Sequence, residues 1–361
     1  MNERKQDKAR RDASRAGAAS DRSRRRPTIN DIARLAEVSK KTVSRVINES
    51  PFVKEDTREK VSAIMRELAY EPDPQARGLA FRRSFLVGFI FDNPNPQYVV
   101  NAQQGILDGL KASGLELAVR PCDRAADGFI EDMRGFVQRQ KLFGVILFPS
   151  VSEDERLAEL LRGLDCPFVR VASVSLDEPD SMLVTNDAAG GAQAARHLAD
   201  RGHRRIGHIT GPLTFRSAHE RKRGFAEGLA ERGIELDETL VKQGGYTFES
   251  GVACAAELLA QTPRPTAIFA GNDEMALGAY QAARDAGLTV PDDLSIVGYD
   301  DAPIAARVWP ALTTVRLPIR DMGRIAARKL MRQEGVENAE ADEQVTPTLV
   351  VRASSGPAPE D

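Results

Sequence analysis

Near residue 85 the apolar positions of the chain change rhythm. Before it they recur at helical spacing. Ile32, Leu35 and Ala36 stand at i, i+3 and i+4 and predict one amphipathic helix, with Thr28 or Asn30 as its cap and Asp31 in the first turn. A three-residue break comes next, Glu37-Val38-Ser39. Ser39 is placed to cap a second helix whose inward stripe is Val43, Val46 and Ile47. A third helix, over about residues 55–68, turns Val61, Ile64, Met65 and Leu68 inward. Beyond residue 85 short continuous apolar runs take over: FLVGFIF (85–91), LELAV (115–119), FGVILF (143–148), FVRVA (168–172), RIGHIT (205–210), TAIFA (266–270) and LSIVGYD (294–300). Amphipathic stretches at 101–112, 188–201, 217–232, 250–261 and 273–286 separate them. Strands apolar on both faces, alternating with helices, predict parallel sheets covered on each side.

At 361 residues the chain is too long for one ordinary core, and the 270 or so residues after the rhythm change suffice for two lobes. The expected organisation is a tail at 1–26 rich in Arg, Ala, Ser and Asp and read as disordered, a three-helix head at 27–72, a linker at 73–84, an α/β body at 85–352 and a flexible end at 353–361. The net charge of −3 hides a gradient. Residues 1–26 hold ten Lys/Arg against four Asp/Glu and residues 27–83 eleven against nine, which leaves −11 on residues 84–361. A basic head on an acidic body points the head, and not the body, at a polyanion.

Helix, tight turn, helix and a supporting helix within some 45 residues is the helix-turn-helix arrangement, whose second helix enters the major groove of DNA. Here that helix begins Ser39-Lys40-Lys41-Thr42-Val43-Ser44-Arg45 and carries no acid until Glu49. Lysine and arginine suit guanine O6/N7 and phosphate; Ser and Thr hydroxyls suit phosphate or either kind of base. In the body, ligands of open parallel sheets bind beyond the carboxyl ends of the strands. The residues at those ends are polar: Asp92-Asn93-Pro94-Asn95-Pro96-Gln97-Tyr98, then Gly211-Pro212 with Ser217 and Arg221, then Asn272-Asp273, then Asp300-Asp301. Carboxylates, amides, an arginine fork and aromatic faces suit a hydroxyl-rich ligand.

TINDIARLAEVSKKTVSRVIN with TREKVSAIMRELAYEPD resembles the DNA-binding domain of the LacI/GalR family of bacterial transcription regulators. NDEMALGA (272–279), IVGYDD (296–301), GHRRIGHITG (202–211) and LTTVR (312–316) resemble the same family's periplasmic-binding-protein-like regulatory domain. The resemblance spans residues 28 to about 352. It implies two Rossmann-like lobes with parallel sheets, the first about 85–185 and 317–335, the second about 186–316 and 343–352. It implies DNA contacts from Thr28, Ser39, Lys40, Lys41, Thr42, Ser44, Arg45 and Asn48. In ARGLA (76–80) it implies a hinge helix whose Arg77 and Leu79 reach the minor groove, Leu79 as the wedge that kinks the duplex. It implies effector contacts from Gln97 and Tyr98 of the first lobe and Ser217, Arg221, Tyr246, Asn272 and Asp300 of the second. Asp92 and Asp273 are neighbours of that set, Asp273 with an alternative role as a helix cap. Two positions depart from the family pattern. Glu37 stands where the turn usually has Gly, and Gln97 replaces an aromatic often found beside Tyr98.

No GxxxxGK[ST] loop, no GxGxxG after the first strand and no GxSxG elbow occurs. His197, His203, His208 and His219 lack HExxH spacing, with His203 and His208 read as structural. Cys122, Cys166 and Cys254 form no CxxC pattern. The reading is therefore of a non-enzyme with no catalytic residue, metal or cofactor. No run of about 18 apolar residues offers a membrane span, and the basic N-terminus lacks an apolar h-region. The expected protein is cytoplasmic and bacterial, on the nucleoid when bound. The resemblance implies a homodimer, since tetrameric family members carry a C-terminal helix where no leucine heptad is found after TPTLVVRAS. The expected protein binds a pseudo-palindromic operator as a repressor of carbohydrate genes, and a sugar-like effector between the lobes switches it. The alternatives are a corepressor-dependent regulator with a non-sugar effector and a sugar-binding protein with no DNA role.

Overall fold

The computed structural model describes residues 27–47, 52–68, 70, 84–336 and 345–359. Two compact units meet at residues 82/83. The basic tail at 1–26, Asn48, and the hinge with Arg77 and Leu79 lie outside the described residues.

The head consists of α1 (Ile29–Ala36), α2 (Lys40–Ile47) and α3 (Glu55–Glu67). Thr28 opens α1: its backbone N–H and its hydroxyl both donate to Asp31 Oδ2, at 3.0 and 2.7 Å. These two donors hold the Asp31 carboxyl below its ordinary range. Ser39 caps α2 by accepting from the Thr42 N–H at 3.1 Å. The core is small: Ile32, Ala33 and Ala36 of α1, Val43 and Val46 of α2, and Val61 of α3. Leu35, expected in the stripe, is instead 45% exposed. The face that packs runs through residues 29, 32, 33 and 36, and position 35 lies on its flank, about 60° of helix rotation from Ile32.

Between α1 and α2 the chain turns through Glu37, whose φ of 57° and ψ of 38° are left-handed. The turn geometry that suits glycine is thus kept with a glutamate in place, and its carboxylate meets Lys60 Nζ at 3.3 Å on the surface. The left-handed conformation costs a residue with a Cβ about 1 kcal/mol, more than an exposed ion pair returns.

The body holds two sheets. The first has the order β2-β1-β3-β4-β5 and is wholly parallel: β1 (Leu86–Phe91), β2 (Glu116–Pro121), β3 (Gly144–Leu147), β4 (Phe168–Ala172) and β5 (Met182–Val184). The second has the order β11-β10-β9-β8-β6-β7: β6 (Ile206–Thr210), β7 (Val241–Gln243), β8 (Ala267–Ala270), β9 (Ser295–Asp300), β10 (Thr313–Arg316) and β11 (Thr348–Val350). It is parallel except for β11, which runs antiparallel to β10, so the expectation of two purely parallel sheets holds but for one edge strand. Helices α4 (Pro96–Leu110), α5 (Phe129–Gln140) and α6 (Glu155–Gly163) accompany the first sheet; α7 (Asp187–Asp200), α8 (Arg216–Ala230), α9 (Phe248–Leu259) and α10 (Asp273–Asp285) accompany the second. The chain crosses between sheets after β5, after β10 and again before β11. By the second of these crossings α11 (Ile319–Gln333) returns to pack along α4 in the first lobe.

All seven apolar runs are strands. The four strands they left out are only three or four residues long, too short to show as apolar runs. In β10, between β9 and β11, Thr313 and Thr314 are fully buried because Ser354, Ser355 and Asp273 satisfy them. Helix α4 begins at Pro96, five residues ahead of the expected start, because Asn95 caps it by accepting from the N–H groups of Gln97 and Tyr98. The end of the chain, expected to be flexible from residue 353, is docked as far as residue 359. Ser354 Oγ donates to Ile296 O at 2.6 Å, Gly356 N–H to Ser295 Oγ at 3.0 Å and Ala358 N–H to Arg201 O at 2.8 Å. These polar groups find partners on the second sheet and its helices, a pairing that composition does not display.

Glu37→Gly should stabilise the head, slowing hydrogen exchange of the α1 and α3 amides about two- to fivefold in the full chain. Faster exchange would mean that the Lys60 contact outweighs the backbone strain.

Candidate functional site

In the head, α2 presents Ser39, Lys40, Lys41 and Arg45 exposed, with Thr42 and Ser44 half-buried beside them. Val43 and Val46 hold the opposite face in the core. Two lysines and an arginine on the outward side of a capped helix make a surface suited to phosphates and base edges. Thr28 is half-buried at the start of α1, its hydroxyl proton committed to Asp31.

In the body, the carboxyl ends of both sheets face one narrow cleft, closed down in this structure to a cavity of about 20 Å3. Its centre is Arg221 on α8. Close packing places it: at Gly224, one turn further, a Cβ would come within 1.9 Å of Ala188 O on α7, so the two helices touch backbone to backbone. The guanidinium is buried and stacks on the Tyr299 ring, 3.7 Å from its centroid. Its Nε donates to Asp187 Oδ1 at 2.8 Å, Nη1 to Gly271 O at 2.6 Å, and Nη2 lies 3.8 Å from Asp300 Oδ1. Burial works against this charge, but Asp187, Tyr246, Tyr299 and Asp300 outweigh it and hold Arg221 well above its ordinary range. Thr185 Oγ1 in turn donates to Asp187 Oδ2.

Asp300 ends β9 with a φ of 103°. Burial pushes its carboxyl up to about 7, against the pull of Arg221. Its Oδ1 has no hydrogen-bond partner among the described residues. A buried acceptor left so is costly, and a ligand hydroxyl would satisfy it. Asn272 caps α10 through Oδ1, accepting from Met275 N–H at 2.9 Å, and its Nδ2 donates to Tyr246 O at 3.0 Å. One of its amide protons remains for a ligand. The Tyr246 ring lies edge-on to Phe215 and presses on Gly211, where a Cβ would meet ring atoms at 2.0 Å. Tyr98 and Ser217 complete the lining.

Of the effector residues expected from sequence, the structure gathers Tyr98, Ser217, Arg221, Tyr246, Asn272 and Asp300 around this cavity. Gln97 does not line it, because its Nε2 turns along α4 to Asn101 Oδ1 at 2.9 Å. Asp92 does not line it either. Its carboxylate accepts from the Ser150 N–H, the Ser150 hydroxyl and the Val151 N–H at 2.6–3.0 Å and pairs with Arg124, anchoring the loop after β3. Asp273 binds Ala302 N–H and Thr314 Oγ1, at 2.6 and 2.5 Å, and joins α10 to the sheet. His203 bridges Thr266, Ser295 and Gly356, and His208 lies stacked on Phe269 in the core. Sequence reasoning missed the lining residues Thr185 and Phe215 and, above all, Asp187, the principal partner of Arg221. It comes just after β5, so the rule that located the other contacts would have found it had that three-residue strand been recognised.

Two family models match the chain. Residues 28–73 match the model described as bacterial regulatory proteins of the lacI family, and residues 195–355 match the periplasmic binding protein-like domain. The transcriptional regulator CelR of Thermobifida fusca is 37% identical over 92% of this chain and 99% of its own length. The chain belongs to the LacI family. Catabolite control protein A of Priestia megaterium is 34% identical over 86% of this chain and 95% of its own. The ribose operon repressor of Haemophilus influenzae is 34% identical over 91% and 98%. Among solved structures, the lac repressor dimer bound to operator and the anti-inducer ONPF superposes with a TM-score of 0.75 at 28% identity, over 92% of this chain and all of that one. A complex of CelR with cellobiose superposes at 0.68 with 34% identity, over 91% of this chain and all of that one. This LacI-family chain is thus a DNA-binding transcriptional regulator, with a helix-turn-helix head and a two-lobed body. No helix among its described residues is long and apolar enough to cross a membrane.

Asp300→Asn should reveal the buried carboxyl. Unfolded, Asp300 ionises near 3.8; folded, near 7. Between those values the folded state binds the proton more tightly, so this group's contribution to stability falls as pH rises from about 4 to 7. The asparagine removes that loss. Relative to wild type the variant should gain about 3 kcal/mol between pH 4.5 and pH 7.5 in urea unfolding of the body. A difference constant with pH would show that Asp300 is already ionised at pH 4.5.

Proposed function

We propose that this regulator represses genes of carbohydrate uptake or breakdown by binding a pseudo-palindromic operator as a homodimer, and that a neutral sugar in the interlobe cleft changes its DNA affinity. The observation that carries the ligand class is the charge of the cleft. One guanidinium faces two carboxylates, Asp187 and Asp300, and is already bonded by the first. A phosphorylated or uronic sugar would bring a further anion beside them and find no free cation among the lining residues. Neutral hydroxyls find acceptors in Asp300 and a donor in Asn272, with Tyr98 and Tyr246 as flat apolar surfaces. The cellobiose held by CelR is such a ligand.

Lys40, Lys41 and Arg45 are the proposed readers of DNA, with Ser39, Thr42, Ser44, Asn48 and Thr28 beside them; Arg77 and Leu79 are proposed for the hinge. Counterion release makes such binding fall steeply with salt. The ligand acts only through its different affinity for the two lobe arrangements. Dimerisation is supported by apolar side chains left on the body's surface: Trp309 is 92% exposed in the loop after β9, with Ile304 near it in sequence and Val100 and Leu107 outward on α4. A protein that works on chromosomal DNA works in the cytoplasm.

Site selection from random duplexes should enrich a pseudo-palindrome that one neutral mono- or disaccharide releases or tightens; glucose 6-phosphate and glucuronate should have no effect. Response to the charged sugars alone would reverse the assignment of ligand class. Arg45→Ala should weaken operator binding at least tenfold and leave sugar affinity unchanged, whereas equal loss of both would mean damage to the fold. Trp309→Glu should raise the dimer dissociation constant in sedimentation at least tenfold; an unchanged value would place the interface elsewhere.

A further inference from the structure

Helix α8 carries Ser217 and Arg221 into the cleft, yet it begins without a cap of its own. The residue at its N-cap is Phe215, which offers no acceptor. The first amide of the helix, Arg216 N–H, instead donates to Glu153 Oε2 at 3.0 Å. Glu153 belongs to the other lobe, in the short turn Val151–Glu153 after β3. One residue before the cap, Thr214 O accepts from Arg124 Nη2, and Arg124 too belongs to the first lobe. Both first-lobe groups are held ready. Arg124 also donates to Ser150 O and pairs with Asp92, whose carboxylate binds the amides at the start of the same turn. Two bonds, from two first-lobe loops that Ser150 and Asp92 tie together, thus cross between the lobes, and both end on residues 214–216. Neither Glu153 nor Arg124 lines the ligand cavity.

We propose that Glu153 and Arg124 are positioning residues that form a closure latch, in which the first lobe supplies the missing N-terminal cap of the helix that carries Arg221. Opening the lobes leaves that amide and the Thr214 carbonyl to water; closing them completes the helix. The latch therefore sets the open–closed balance before any sugar arrives, and with it the fraction of molecules competent to bind. Its link to affinity rests on the reading of the cleft as the effector site, but the contact itself can be tested without a ligand.

The latch has a pH signature. Burial pushes the Glu153 carboxyl up to about 6, against the pull of the Arg216 N–H and of the Arg216 and Arg124 charges, with Asp187 adding a push. His219 and Glu220 of α8 and Asp154 and Arg156 of the first lobe are the other ionisable groups near it. In the open form Glu153 faces water and ionises near its ordinary 4.5. The closed form binds the proton more tightly, so closure is favoured as pH falls from 7 toward 4.5.

Hydrogen exchange of the full chain, with no sugar added and corrected for intrinsic rates, decides the matter. Glu153→Ala should raise exchange in a peptide covering residues 214–218 about tenfold and leave α6 unchanged. Glu153→Gln keeps an acceptor and should retain most of the protection, while losing the rise in protection that wild type shows on going from pH 7 to pH 5. Arg124→Ala should loosen the same peptide. Unchanged exchange in Glu153→Ala, exchange raised throughout the first lobe, or a Gln variant with the wild-type pH profile would each overturn the latch. In a second arm, cellobiose binding is measured by calorimetry. Affinity lowered about tenfold in Glu153→Ala, alongside loosened exchange, supports the full proposal; loosened exchange with unaltered affinity removes the link to the ligand. If wild type binds no cellobiose or other neutral sugar, the reading of the cleft fails while the exchange result still decides the latch.

Discussion

The buried guanidinium of Arg221 is the constraint around which the body is arranged. A charge taken so far from water is tolerable only with its hydrogen bonds filled and an opposite charge in contact. Asp187 supplies both, from the first residue of α7. Tyr299 supplies a ring face and Gly271 a carbonyl. Each partner comes from a different element, so α7, α8, β8 and β9 must arrive in register for the charge to be satisfied. Asp300 is the member left over. It has the charge the arginine attracts but not the hydrogen bond, and that shortfall makes the cavity receptive.

Close helix packing gives the arrangement its stiffness. The backbones of α7 and α8 meet where Gly191 and Gly224 leave no room for a side chain, and those of α4 and α11 meet in the same way at Gly105 and Gly323. Glycine within a helix is unfavourable by up to about 1 kcal/mol; here contact along two helix faces offsets it. The contrast with the head is instructive. There only six small or branched side chains are buried outright, and each buried Ile or Val contributes roughly 1.5–3 kcal/mol. A unit so lightly founded tolerates little strain, yet it carries Glu37 in a left-handed turn.

How far the fold was legible in the sequence depends on the side chains each element had to bury. The helix-turn-helix was readable because three short stripes and two caps leave little else for those residues to do, though the stripe of α1 was placed one position off at Leu35. The seven apolar strands were readable because both their faces are covered. Strands β5, β7 and β11 were not, being only three residues long, nor was β10, whose polar groups are satisfied by distant partners: Thr313 by Ser354 and Ser355, Thr314 by Asp273. The site inherited the same blind spot. Residues after legible strands came together as the strand-end rule requires, and Asp187, after an illegible one, escaped. Gln97 and Asp92 had the right address but bond within their own lobe, a choice of rotamer and loop that spacing does not encode.

The three crossings between the sheets carry a consequence for how the protein is made. The first lobe packs α11, residues 319–333, against α4, so it lacks a wall until residue 333 has been translated. The second lobe closes its sheet with β11 and ties its edge with Ser354, Ser355 and Gly356, which are translated after every other strand of the body. The head has no such debt to later sequence, because its buried residues and those packed on them lie between residues 29 and 70. Domains generally fold as they emerge, N-terminal first. On the ribosome the part that reads DNA is therefore complete long before the part that senses the cell, and regulation begins only when the last strand has been released.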